Sequence, residues 1–257
     1  MSKRSWHLFE FSDLTWFPTL WRSFLTDLLD HHYRTSRVYH AAIPILYNLI
    51  RRSGYTQICD LCSGTGGPWP DLAPLLKQAV PRLKVTLTDK YPPAIAQPSK
   101  NWTYAPASLD LNSFSFHEPA LYTLFTSFHH LKPAMATQVL KNVTQSGHPI
   151  GIFEFTENRW ANKLGMFLSP LYVWAISFSV SPRSPWRFLW TYLLPVVPLI
   201  YWWDGLISHG RTYSLEEMES MAEAFPNYHW ELGRSAADER SQGITWMVGW
   251  KKLQSDC

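Results

Sequence analysis

The rhythm of apolar and polar positions changes near residue 55. Before it, apolar residues recur every three or four positions, which paints one face of a helix. Leu20, Phe24, Leu25, Leu28 and Leu29 do so over 18–30, and Val38, Ala41, Ala42, Ile45, Leu46 and Leu49 over 37–52. Pro18 suits a first helical turn, Pro44 bends or shortens the second helix, and Gly54 stops it. After residue 55, short apolar runs alternate with helical stretches. Strands are predicted at 57–61, 84–88, 122–127 and 149–155, with a weak one at 103–107, and helices at 68–80 and 134–144. Alternation with short links argues for a parallel sheet covered by helices. Ser214 and Glu217 then open a further helix through a capping box. Residues 228–233 and 244–250 read as two strands joined by a polar loop, an antiparallel pair at one sheet edge.

Residues 164–203 break this rhythm, with Arg183 and Arg187 as their only charges. The run is long enough to suggest spans of ~20 apolar residues, but Pro170, Pro195 and Pro198 interrupt it. It reads first as helices that pack on the domain and lie in a membrane surface; a buried or oligomer-forming lid and a transmembrane hairpin are the alternatives. The 14 Trp, 12 Tyr and 14 Phe suit surfaces that are apolar on one side and wet on the other. A net charge of +3 gives no reason to expect nucleic acid. Cys59, Cys62 and Cys257 are too few and too odd for a disulfide scaffold, and no signal peptide is recognisable. The expected location is therefore cytoplasmic, with possible peripheral membrane contact. The expected layout is an N-terminal helical extension at 1–54 and a single catalytic domain at 55–257, with the apolar insertion at 160–213.

The chemistry concentrates in ICDLCSGTGGPW, residues 58–69, and in LTDKY around Asp89. Gly64, Gly66 and Gly67 let backbone approach a ligand closely. Pro68 then starts a helix whose free N–H groups face the same spot. Asp89 follows Gly66 by 23 residues, at the end of the second strand, a distance that fits hydrogen bonding to ribose hydroxyls. A dinucleotide site wants G-x-G-x-x-G, which this turn does not supply. The pattern instead resembles the first motif of the class I S-adenosylmethionine-dependent methyltransferases, D-x-x-x-G-x-G-G, matched by Asp60, Gly64 and Gly66, with Cys62 where the family carries its first glycine. The resemblance spans roughly 55–155 and the terminal strand pair. It implies a Rossmann-like α/β fold, S-adenosyl-L-methionine as cofactor and methyl transfer as activity. Asp89 matches the ribose-binding acid, and Asp110 with Leu111 resembles the third, adenine-reading motif. TLFTSFHHL, with Phe128, resembles the fourth, though its usual leading acid is absent and Tyr122 stands nearby. Ser63 and Lys90 flank these positions and complete the expected cofactor set.

A methyl sulfonium carries its own leaving group, so the protein must mainly place a nucleophile in line. A base is needed only where that nucleophile must lose a proton. His129 and His130 follow the fourth strand; His129 is the preferred base, and a structural pair capping the Pro133 turn is the alternative. Trp16, Glu154, Asp204, His209, Arg211 and Tyr213 are the candidate acceptor-side residues. Residues 203–213 resemble a stretch in bacterial methyltransferases that share the opening at 9–18. Arg211 and Asp204 have an equally good use as an ion pair anchoring the insertion. A lone C-x-x-C, Cys59 and Cys62, with its first member inside a strand, suits neither zinc nor a redox centre. The expected partner is a small, apolar acceptor, with no metal and no nucleic acid. A catalytically silent protein of the same fold, docking on membranes or scaffolding a partner, is the rival reading.

Overall fold

The computed structural model of the chain describes residues 8–92, 99–111, 113–236 and 243–252. Cys257, Lys3 and Arg4 lie outside them. Two helices, α1 (Thr19–Ser36) and α2 (Ala42–Ser53), precede strand β1 (Gln57–Leu61). Then come α3 (Trp69–Ala79), β2 (Lys84–Leu87), β3 (Thr103–Tyr104), β4 (Leu121–Phe125), α4 (Pro133–Ser146) and β5 (Ile150–Glu154). The insertion follows as α5 (Trp160–Met166), α6 (Ser169–Ile176), α7 (Pro185–Phe188), a π turn (Leu189–Leu193) and α8 (Val196–Arg211). Helix α9 (Leu215–Glu223) and strands β6 (Tyr228–Ser235) and β7 (Ile244–Lys251) close the chain. The sheet order is β3-β2-β1-β4-β5-β7-β6. The first five strands run parallel, and β7 is antiparallel to both β5 and β6.

Strand residues alternate between two cores, as a pleated strand requires. Leu121, Phe125 and Phe153 face α2 and α3, whereas Tyr122, Leu124, Ile150 and Ile152 face α4 and α9. Tyr122, in place of the family's fourth-motif acid, is a core residue whose hydroxyl donates to the Glu118 carbonyl. Both bonds of the Ser214–Glu217 capping box form.

Two helices differ from the sequence pattern for identifiable reasons. Helix α1 runs on to Ser36, past its last leucine at position 29, because tertiary packing buries Asp30 and Tyr33 on its final turns. Pro44 begins α2 rather than bending it. A 3₁₀ turn (Val38–Ala41) comes first, so Pro44 falls in the opening turn, where its missing N–H costs nothing.

The turn after β1 is held from below by Asp60. This buried carboxylate accepts the Ser63 hydroxyl at 2.6 Å and the Thr123 hydroxyl of β4 at 2.6 Å, while its carbonyl accepts the Thr88 hydroxyl at 2.8 Å. Three strand ends are thereby tied together. Cys62 adopts φ +59° and Gly64 +56°. Cys62 therefore takes the left-handed conformation for which glycine is the natural residue.

The insertion is pinned to α1. Phe24, Leu25 and Leu28 pack with Val173, Val180, Val197 and Ile200. Arg187, fully buried, donates to Asp27 at 3.1 Å and to the carbonyls of Val180 and Pro182 at 2.6 Å each. Its outer side leaves Trp160 84%, Leu164 67%, Leu171 68% and Leu193 74% exposed. Among the described residues no helix is long and apolar enough to cross a membrane, so the hairpin alternative falls.

Arg187→Met strands the Asp27 carboxylate and two carbonyls. Urea titration is expected to show a loss of about 3 kcal/mol. Cys62→Gly should leave stability unchanged or raise it by up to about 1 kcal/mol, whereas Cys62→Val, β-branched at positive φ, should lose about 2 kcal/mol in the same assay.

Candidate active site

The carboxyl ends of β1, β2, β4 and β5 open into one cavity of about 1430 Å³. Its cofactor end is the glycine turn. Asp89 turns into the crevice: its Oδ2 accepts the Gly64 N–H at 2.8 Å, and its Oδ1 accepts that of Tyr91 at 2.7 Å. The Tyr104 hydroxyl donates to the Gly64 carbonyl at 2.8 Å, bracing the turn from β3. Lys90 and Asp110 pair at 2.8 Å, and Leu111 lines the same wall. Bare backbone at Gly64 and Gly67, with an acid on the neighbouring strand, fits a nucleoside held by its sugar hydroxyls.

The opposite end is built by the 3₁₀ turn Phe128–His130, which follows Thr126 at φ +45°. His129 is 1% exposed, its Nδ1 lies 2.8 Å from Glu154 Oε2, and its backbone N–H donates to Glu154 Oε1 at 3.1 Å. With a proton on Nδ1 donated to Glu154, the assigned tautomer leaves the lone pair on Nε2. Burial pushes the Glu154 pKa up, but His129 and its two hydrogen bonds outweigh that and hold it below the ordinary value. The contacts from His129 are what keep this fully buried carboxylate ionised against burial.

A strap before α1 covers this pair. Glu10 Oε1 stands 4.0 Å from His129 Nε2, and Asp13 Oδ1 stands 2.8 Å from His130 Nδ1. Burial disfavours charge on His130, yet Glu10 and Asp13 overcome it and raise its pKa to about 10. Burial likewise opposes ionisation of Asp13, and His130 and Arg211 hold its pKa well below the usual range. Glu10, His129 and His130 bring possible ligand atoms within 4.8 Å of one another. Arg211 and protonated His130 already balance the acids of that cluster, which opposes a metal cation there. Burial raises the pKa of Cys59, to about 12, and of Cys62, so neither offers a ready thiolate.

Of the residues singled out from sequence, Asp60, Cys62, Ser63, Gly64, Asp89, Lys90, Asp110, Leu111, His129, His130, Asp204 and His209 line this cavity. Glu154 lies beneath it, through His129. Gly66 shapes the turn instead of lining it, its N–H donating to the Ser63 carbonyl at 2.9 Å. Four expectations need correction. Phe128 is fully buried in the core beside α4, its ring 5.3 Å from that of Tyr213. Tyr213 spends its hydroxyl on the Leu131 carbonyl at 2.7 Å. Trp16 is 69% exposed, outside the cavity. Arg211 does not pair with Asp204; it binds Glu10, Asp13 and the Leu8 carbonyl. Asp204 instead accepts the N–H groups of Phe11 and Ser12 at 2.7 and 3.0 Å, and burial raises its pKa to about 6. His209 Nδ1 lies 2.9 Å from the Glu157 carbonyl, so that ring also fastens chain.

Sequence reasoning missed Glu10, Asp13, Asp30, Tyr33 and Thr65, all of which line the cavity. Helical spacing carried one signal: Asp30 stands three residues before Tyr33 and four after Thr26, on the face of α1 turned to the glycine turn.

No family model and no curated protein sequence matches this chain. Solved structures do. The plantazolicin methyltransferase BpumL in complex with SAH is similar over 94% of this chain and 94% of its own, with 11% identity and a TM-score of 0.58. The plantazolicin methyltransferase BamL, bound to a triazolic desmethylPZN analog and SAH, aligns over 90% of this chain and 91% of its own, with 13% identity and a TM-score of 0.53. Human N-acetylserotonin methyltransferase in complex with SAM aligns over 90% of this chain and 55% of its own, with 13% identity and a TM-score of 0.50. With its sheet order and glycine turn, the chain has the fold of the class I S-adenosylmethionine-dependent methyltransferases.

Proposed function

We propose that this chain is an enzyme that transfers a methyl group from S-adenosylmethionine to a small, apolar acceptor carrying an acidic proton, such as a hydroxyl. The observation that carries it is one cavity with Asp89 and the Gly64 backbone at one end and the His129–Glu154 pair at the other. Bound S-adenosylmethionine would supply an activated methyl group. Asp89 and Gly64 would hold its sugar, and Asp110 and Leu111 its base. Cys62 already has a left-handed backbone conformation, the one glycine adopts most readily, which removes one argument for a silent protein. SAH and SAM in structures of this fold support the same cofactor.

His129 acts as the catalytic base. Glu154 is a positioning residue: it fixes the imidazole tautomer so that Nε2 receives the acceptor proton, and it stabilises the imidazolium that forms. Burial of the pair keeps water from competing. Residues 8–54 and the insertion 160–213 form the acceptor side, the strap being fastened to α8 through Asp204 and through Trp203, which donates to the Phe9 carbonyl at 3.0 Å.

The apolar insertion docks this enzyme peripherally on an anionic lipid surface, from which the acceptor enters. Between Glu157 and Asp204 the chain carries Arg159, Lys163 and Arg183 outside the core and no acid, the fourth base, Arg187, being buried against Asp27. Leu168, 65% exposed, belongs both to the outer apolar face and to the cavity wall, so the two are continuous. Tryptophans beside basic residues are the composition of an interfacial surface.

His129→Ala should lower kcat by at least about 100-fold, and Glu154→Gln by about 10-fold or more, while calorimetry finds S-adenosylhomocysteine affinity unchanged. Retained kcat in His129→Ala would remove the base. Co-sedimentation with phosphatidylcholine/phosphatidylserine vesicles tests docking: the wild type should pellet, and Leu171→Glu should weaken binding by about tenfold. A wild type that stays in the supernatant at every lipid concentration overturns the membrane element alone.

A further inference from the structure

Asp30 is a buried acid without a cation beside it. It lies in α1, 9% exposed, and lines the cavity next to the glycine turn. Its Oδ2 accepts the Thr65 hydroxyl, and the Gly67 N–H provides a further bond. Both partners are neutral. Among the described residues Asp30 forms no ion pair: Arg187 is engaged by Asp27, and Arg34 acts on Asp30 only at a distance. Burial therefore pushes its pKa up to about 7, with the hydrogen bond from Thr65 only partly offsetting it. An asparagine would satisfy the Thr65 hydroxyl at less cost, so the acid itself calls for an explanation.

A sulfonium cofactor has three arms. With the sugar on Asp89 and the methyl facing His129, the remaining arm, an amino acid, runs toward the turn and α1. Asp60, the acid of the glycine motif, is not available to it: it is 1% exposed and both oxygens take hydroxyls from Ser63 and Thr123. We propose that Asp30 anchors the α-ammonium of that amino-acid tail, with Thr65 holding the carboxylate in place. The inference rests on the cofactor reading above and adds to it a charged contact from the N-terminal extension. Helix α1 then does more than cover the cavity, because its packing against the insertion sets the position of the anchor.

The test compares two ligands that differ only in the tail. S-adenosylhomocysteine carries the amino acid; 5′-methylthioadenosine is the same thioether nucleoside without it. In calorimetry, Asp30→Asn should weaken S-adenosylhomocysteine at least about tenfold, as loss of a charge-assisted hydrogen bond requires, and leave 5′-methylthioadenosine within about twofold. Equal loss on both ligands, or on neither, overturns the anchor and leaves the cofactor reading standing. Failure of the wild type to bind either nucleoside removes both. Should the variant not fold, N-acetylated S-adenosylhomocysteine, whose tail lacks the cationic ammonium, gives the same answer on the wild type: it should bind at least about tenfold more weakly than its parent, and equal affinity overturns the proposal.

Discussion

The buried carboxylate of Asp60 is the constraint on which the site depends. It is the penultimate residue of β1 and is bonded at once to the turn, through Ser63, and to β4, through Thr123. Burial raises its pKa to about 7 against the pull of those hydroxyls. A buried polar group with its partners in place is a rigid joint, and one without them is costly. Because the joint fixes the ends of β1, β2 and β4 relative to one another, the glycine turn and the histidine turn occupy set positions on one rim. The left-handed conformation of Cys62 follows from the same joint, since the chain must reverse between Asp60 and Ser63 to meet both bonds.

The roof over that rim is made of three sequence-distant pieces that support one another. Helix α1 shares an apolar core with the insertion. Arg187 ties α7 to Asp27, and Asp204 of α8 caps the strap that carries Glu10 and Asp13. The strap in turn sets acids against His129 and His130, balanced by Arg211 of the insertion. Charge balance at the strap and hydrophobic contact at α1 act together, so a change in either is felt at the cavity. The outer surface of this roof is apolar and otherwise basic, which distinguishes it from the polar faces of α4 and α9.

The two ends of the cavity differ in electrostatic character. Around the turn, Asp30, Asp60 and Asp89 gather acids with neutral partners, an arrangement receptive to a cationic ligand. At the histidine end, Glu10, Asp13 and Glu154 each have a basic neighbour, an arrangement suited to holding and moving a proton. A cationic methyl donor and a proton-bearing acceptor thus each find the complementary half.

Local chemistry determined the strands, the glycine turn, the capping box and the antiparallel edge, because each rests on period, backbone freedom or a hydrogen bond between near neighbours. The placement of Asp89 and His129 on the cavity rim was legible for the same reason: they closely follow β2 and β4, and strand ends in a parallel sheet converge on one rim. The continuation of α1 to Ser36, the partners of Arg211 and Asp204, the strap acids and the burial of Phe128 and Tyr213 were decided by tertiary structure alone. Their partners lie far away in sequence, as Phe11 does from Asp204 and Arg187 from Asp27. No local pattern encodes which distant surface a side chain will meet, and burial, which gives Asp30 its chemistry, exists only once those surfaces have packed.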